Sequence, residues 1–153
     1  MRRRQSIPRQ WLITTGDWDR QFWFVLRRLP RGSGILLLNR PGASTLRRLR
    51  NVAGLSHLLI IADVPTRIAR VHNVRELRQA LLRRTAAILL SPMFKTQSHP
   101  DWQPLPKMRA ASLARLANRR LIALGGMSER RYRNLAQLGF IGWAGISAWL
   151  EGR

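Results

Sequence analysis

Two glycine-rich turns, at Gly125–Gly126 and at Gly142–Gly145, stand one repeat apart near the end of the chain. Glycine lets a phosphate oxygen come close to backbone N–H groups, and a following helix N-terminus adds a favourable dipole. Each turn closes an apolar run, LIAL at 121–124 and FIGWA at 140–144. The pair therefore points to a phosphate site; the competing explanation is that these glycines only permit tight turns. A second stretch, SPMFKTQSHPDWQPLP at 91–106, holds four prolines between two regular segments. Loops longer than about 12–15 residues in a compact domain usually carry function. His57, His72 and His99 are dispersed without metal-ligand spacing. There is no P-loop and no GxGxxG. The absence of cysteine excludes disulfides and thiol chemistry.

The elements that must hold these residues alternate. Met1–Gln10 is a basic lead-in, and 11–153 reads as a single domain. Trp11–Thr15 is a β-type run, and Asp17 is expected to cap a helix to about Leu29, with Trp18, Phe22, Val25, Leu26 and Leu29 at helical spacing. Ile35–Leu38 is a buried strand, and Thr45–Ala53 a helix stopped by Gly54. Leu58–Ala62 is the next strand, ending at Asp63. Asn73 with Glu76 makes a capping box for a helix over Val74–Arg84, followed by a strand at Ala86–Leu90. Lys107–Asn118 is a helix and Leu121–Leu124 a strand. Ser128–Leu138 is a helix stopped by Gly139, Phe140–Ala144 the last strand, and Ile146–Leu150 a short closing helix.

One place breaks the rhythm. Only Val64–Arg67 separates the strand ending at Asp63 from the next candidate, Ile68–Val71. A parallel crossover needs a dozen or more residues, which four cannot supply. Either these runs are antiparallel, or one is not a strand, or a repeating unit is absent. Alternating strands and helices argue α/β with a parallel sheet. Two glycine turns one βα unit apart favour a TIM-barrel-like (β/α) fold, whose last two turns often form a phosphate site. The expectation is such a barrel lacking about one βα unit near 63–68. Its exposed strand edges would leave an irregular, incompletely closed barrel or be covered in a homodimer.

Composition sets wider bounds. With 45% apolar residues the 153-residue chain is globular in character. Its longest apolar runs fall short of the ~20 residues of a membrane span, so a soluble cytoplasmic protein is the default expectation. The net charge of +21, from 28 Lys+Arg against 7 Asp+Glu, would attract polyanions, non-specific nucleic acid among them. The plainer account is a solvated surface. Arginine doublets at 27–28, 47–48, 83–84, 119–120 and 130–131 fall mostly on or near helix ends, where cations suit the dipole. Six tryptophans among the arginines could suggest base stacking, but Trp18 and Trp23 on a helix and Trp143 in the final strand read as core.

Three segments in order, LLSPMFKTQSHP at 89–100, LIALGGM at 121–127 and GWAGIS at 142–147, resemble the thiamine phosphate synthase / thiazole tautomerase family of TIM barrels. The resemblance covers roughly the last 80 residues well and the first 63 loosely. It implies a thiazole phosphate bound by Gly125, Gly126, Ile146 and Ser147, largely through backbone N–H. It implies a diphosphate and substrate loop at Thr96, Ser98 and His99, where His99 stands at the family's usual lysine. It also aligns Arg40 near the substrate and Asp63 with the first of two magnesium-binding aspartates, the second falling in the missing segment. Magnesium is implied only if the synthase reaction is retained; one carboxylate holds it poorly.

The tautomerase branch needs no metal and uses a histidine in a serine-x-histidine pattern. Here Arg70 replaces the serine and His72 is kept, at a strand end where histidine can act as general acid/base. The sequence thus implies a thiazole phosphate-binding protein of thiamine biosynthesis, with tautomerase-like isomerase chemistry at His72 ahead of the synthase transferase reaction. The alternative is a catalytically degenerate basic barrel serving as scaffold or nucleic-acid-binding protein.

Overall fold

The computed structural model describes residues 7–62, 67–97 and 99–149, with the backbone alone for Ser147. Its elements alternate: β1 (Gln10–Thr14), α1 (Arg20–Arg28), β2 (Gly34–Leu37), α2 (Ala43–Ser56), β3 (Leu59–Ala62), β4 (Ile68–Val71), α3 (Val74–Leu82), β5 (Ala87–Leu90), α4 (Lys107–Leu116), β6 (Leu121–Leu124), α5 (Glu129–Ala136) and β7 (Gly142–Gly145), then a 3-10 turn at Ser147–Trp149. The seven strands form one parallel sheet in the order β3-β2-β1-β7-β6-β5-β4. This is a curled, barrel-like α/β sheet that leaves a seam between β3 and β4.

The seam resolves the break in the sequence pattern. Leu59–Ala62 and Ile68–Val71 are both strands, each parallel to its one neighbour, and they lie at opposite edges of the sheet. The residues between Ala62 and Ile68 can reach about 18 Å when extended, too far for a ladder contact to be required and too short for a helical crossover. Of the three alternatives, an absent βα unit is the one realised.

Alternation along each strand sorts the side chains into an interior and two outer layers. Trp11, Ile13, Leu36, Ile61, Ile68, Leu89, Ile122 and Ala144 face one another inside the curl. Outside, α1 and α2 cover one half of the sheet through Phe22, Leu26 and Leu49 against Leu12, Ile35 and Leu37. Helices α3, α4 and α5 cover the other half through Leu77, Leu113 and Leu135 against Ile88, Leu90 and Leu121. The lower interior is filled by Trp11, 1% exposed, whose indole N–H donates to the Pro8 carbonyl at 2.7 Å. A Cβ at Gly34, its partner in the β1–β2 register, would fall inside the Trp11 ring.

Several boundaries differ from the sequence reading, each for a local reason. The α1 cap is Asp19, whose Oδ1 accepts from the Phe22 N–H at 2.7 Å, while Asp17 instead accepts from the Thr15 hydroxyl. Helix α2 runs through Gly54 and ends at His57, which adopts the left-handed conformation usual for a glycine cap. Phe140 precedes β7; it is buried against the α3–α5 layer, and its carbonyl accepts from the Tyr132 hydroxyl at 3.1 Å. Glu129 at the start of α5 joins β7 to the strand that opens the sheet. It accepts from the Trp143 indole N–H at 2.9 Å and the Gln10 amide at 2.8 Å, and pairs with Arg9 at 3.1 Å. No helix of the described residues is long and apolar enough to cross a membrane.

Candidate functional site

The C-terminal ends of the strands open into a cavity of about 580 Å³. β1 and β2 contribute Ile13, Thr15 and Leu38; β4 contributes Arg70 and His72; the β5 end contributes Ser91 and Pro92. The two glycine turns supply Leu124–Met127 and Gly145–Ile146, and the 91–106 loop brings Thr96, His99 and Trp102 over the opening.

That loop is stitched to the strand ends by backbone bonds. Ser91 N–H donates to Val71 C=O at 3.1 Å, Met93 N–H to Leu124 C=O at 2.9 Å, and Phe94 N–H to Gly125 C=O at 3.0 Å. Leu105 N–H returns to Pro92 C=O at 2.9 Å and closes the loop on itself. The Gly126 carbonyl accepts from the Arg131 guanidinium, which also lies 4.7 Å over the Phe94 ring. Three successive carbonyls, of Leu124, Gly125 and Gly126, are therefore taken by the loop and by α5. A trans peptide points its N–H opposite to its C=O. The N–H groups of Gly125, Gly126 and Met127 thus point away from those partners, as a turn that offers amides to an anion requires.

Both glycines are also needed for packing. Gly125 and Gly126 have φ of +96° and +59°. A Cβ at Gly126 would stand 2.5 Å from the Lys95 carbonyl oxygen. The tight-turn explanation holds here, and it leaves the backbone amides of the same turn in place for a ligand.

His72 follows β4 and does not stand alone. Its Nδ1 lies 3.0 Å from Glu76 Oε2, and the same oxygen accepts the His72 backbone N–H at 2.7 Å. Glu76 sits in the first turn of α3, its own N–H bonded to Asn73 Oδ1 at 3.0 Å. Burial acts to raise the Glu76 carboxyl. The His72 backbone and ring bonds, the imidazole charge and Asn73 outweigh it and hold the group below the ordinary carboxylate range. Across the ring, Trp102 meets His72 edge-on with centroids 5.5 Å apart, and His99 stacks on Trp102 at 4.3 Å and 14°.

The structure brings His72, Thr96, His99, Gly125, Gly126 and Ile146 to one cavity. Ser147 follows Ile146 in the 3-10 turn. Asp63 and Ser98 lie outside the described residues. Arg40 is exposed on the segment after β2 and does not line the cavity, because the chain turns away at Leu38 toward α2. Sequence reasoning missed Trp102, which it did not single out; it is 44% exposed, whereas Trp11, Trp23 and Trp143 are buried. The signal was its place in the long loop between Pro100 and Pro104. It also missed Glu76 as a partner of His72, hidden behind its role as a capping residue. Among the described residues the lining holds no Asp or Glu, and no group of three acidic, histidine or cysteine side chains converges. The described residues therefore do not fit a magnesium ion held by protein carboxylates.

Fold and site together define a barrel-type α/β protein with a cavity at the carboxyl ends of its strands, the usual place for a ligand site in such a fold. The family model described as thiamine monophosphate synthase matches residues 69–149, and this chain belongs to that family. It is 34% identical over 80 residues to the putative thiamine-phosphate synthase 2 of Aquifex aeolicus, a match covering 52% of this chain and 43% of that relative. In three dimensions it resembles the thiamine phosphate pyrophosphorylase of Pyrococcus furiosus, with a TM-score of 0.73 over 97% of this chain and 90% of that one, at 15% identity.

Proposed function

We propose that the chain binds a phosphorylated thiazole in thiamine biosynthesis, its phosphate at the β6 and β7 turns and its ring beneath the 91–106 loop. The observation that carries this reading is the meeting of the two glycine turns and His72 in one cavity. The amides of Gly125, Gly126 and Met127 would receive phosphate oxygens, and the N-terminus of α5 adds its dipole. Ile13, Leu38 and Leu124 supply apolar surface for the ring.

Tautomerase-like chemistry suits this cavity better than the synthase reaction. A proton shift on the bound ring needs a general acid/base, which His72 offers, and no metal. A synthase would have to neutralise a diphosphate leaving group. The described cavity supplies Arg70 and His99 for that and no magnesium-binding carboxylates, so no step is assigned to a metal.

Titration calorimetry with thiazole phosphate tests the binding, and amide NMR of the labelled chain tests its place. The expected result is binding heat with shifts at Gly125, Gly126 and Met127 that inorganic phosphate reproduces in part. Absence of heat, or shifts confined to other regions, overturns the assignment. Incubation with the thiazole carboxylate phosphate, followed by NMR of the ring protons, tests the isomerisation.

A further inference from the structure

Resting on that reading, we infer that Glu76 is a positioning residue that fixes the His72 ring so that Nε2 is the atom presented to the ligand. An ionised carboxylate only accepts hydrogen bonds. With Glu76 Oε2 3.0 Å from Nδ1, the neutral imidazole carries its proton on Nδ1 and keeps the Nε2 lone pair. That oxygen also holds the His72 backbone N–H at 2.7 Å, so ring and backbone are tied to one anchor. Trp102 meets the ring edge-on and is itself braced by His99, which restricts rotation from the other side.

The geometry departs from a simple capping box. In that motif the third helical residue reaches back to the N–H of the cap residue. Here the cap is Asn73, and Glu76 passes it to bond the residue before, at both backbone and ring. A carboxylate used only to start α3 would not need the imidazole. Among the described residues, the groups facing this ring are Glu76 from α3 and Trp102 from the loop, with Arg70 beside it on β4 lining the same cavity. His72 also borders a second hollow of about 390 Å³ with Pro92, Trp102 and Gln103, so the ring forms part of the wall between the two.

In the reaction the roles follow directly. Nε2 takes a proton from a carbon of the bound ring, and the C–H electron pair passes into the ring's π system. The imidazolium, its Nδ1–H still on Glu76, then returns a proton at another carbon of the same conjugated system. Nothing is oxidised or reduced, and His72 ends as it began. Glu76 touches no substrate; it sets which nitrogen works.

The test uses the full chain labelled with 15N-histidine. Wild type should show the Nδ1–H tautomer at His72, Glu76→Ala a mixture, and Glu76→Gln, whose amide oxygen still accepts, an intermediate state. Asn73→Ala, which removes the cap bond to the Glu76 backbone N–H and leaves the carboxylate itself in place, should lower stability and keep Nδ1–H the major tautomer at His72. In the isomerisation assay Glu76→Ala should lower kcat by roughly 10- to 100-fold with little change in KM, part of the 10²–10⁴ that a general acid/base supplies. An Nε2–H tautomer in wild type, an unchanged tautomer in Glu76→Ala, or an equal change in Asn73→Ala overturns the inference. Wild type that fails to bind or isomerise the thiazole overturns the proposed function instead, and the tautomer measurement still decides the role of Glu76.

Discussion

The two sides of the seam fold alike and are equipped differently. Strands β1–β3 with α1 and α2 pack a buried apolar layer, as the strands under α3–α5 do, and each layer is built from the same alternation of strand side chains. Yet the first side gives the cavity Ile13, Thr15 and Leu38, while the second gives both glycine turns and every described histidine, arginine and tryptophan that lines it. The family match follows the same division, covering 69–149, although the three-dimensional likeness spans 97% of the chain. Burial requirements preserve a fold with many sequences; a ligand site needs particular atoms in particular places.

That contrast is open to attack, first at its largest expected effect. Trp11→Ala should cost about 3–5 kcal/mol, because it empties the interior on the side that contributes least to the site. Urea unfolding measures it, and a loss under 1 kcal/mol would mean that side is not held by its interior. On the other side, His72→Asn should lower isomerisation by about 10²–10⁴-fold while shifting the unfolding midpoint little, since the residue is half-exposed at a strand end.

Glycine-to-alanine changes should divide by side and even by sign. At Gly126, with positive φ and the Lys95 carbonyl in the way, alanine should destabilise by about 1–3 kcal/mol and weaken thiazole phosphate binding. At Gly54, inside α2 with open space around it, alanine should stabilise by about 0.5–1 kcal/mol. Thermal unfolding of both variants, with calorimetry on the first, reads the difference.

A smaller effect depends on pH. Burial pushes Glu129 up, but the Trp143 and Gln10 bonds and the charges of Arg9 and Arg133 leave it below its ordinary value. A carboxyl depressed by folding stabilises the native state above its unfolded value of about 4.5, and that contribution is lost as pH falls through the folded value. Glu129→Gln should therefore flatten the acid limb of a stability–pH curve and bring the mutant and wild-type curves together at the lowest pH. Burial raises Tyr132, so its contribution has the opposite sense: present below about pH 10 and lost as pH climbs through the raised value. The smallest change is Arg27→Gln, exposed in the last turn of α1, expected within about 0.5 kcal/mol of wild type by urea unfolding.

What the sequence made legible was periodic. Ile68–Val71 and Leu121–Leu124 coincide with β4 and β6, because apolar runs closed by turn residues leave little freedom in where a buried strand can lie. The missing unit was legible too, since chain length is read directly from sequence. Caps were less so. Asp17 and Asp19 are chemically equal candidates, and only the position of the Phe22 N–H chooses between them. The cavity lining was legible in its glycine turns and His72, and illegible where a side chain arrives through folding of irregular backbone. Trp102 has no periodic partner, and its approach to His72 depends on a loop held by the Met93, Phe94 and Leu105 bonds. The arginine doublets are exposed throughout, with Arg28 over Phe24 and Arg48 over Trp23, the distribution of a solvated surface whose cations shelter apolar rings.

The strand order has a consequence for how the chain assembles. Strands β1, β2 and β3 can pair as they appear, and so can β4 to β7, each through neighbours one helix apart. The β1–β7 ladder, Gln10 to Trp143 onward, is the exception, since it joins residues more than a hundred positions apart in the middle of the sheet. Such long loops are slow to close. During synthesis β1 must therefore wait, one edge open, until the last strand is made, and the Arg9–Gln10–Glu129–Trp143 cluster can form only then. A chain reconnected from 149 to 7 through an added linker long enough for a parallel crossover, and opened at the seam, would read β4 to β7 and then β1 to β3 in unbroken spatial order. Every strand pair would become local, and the wait would disappear.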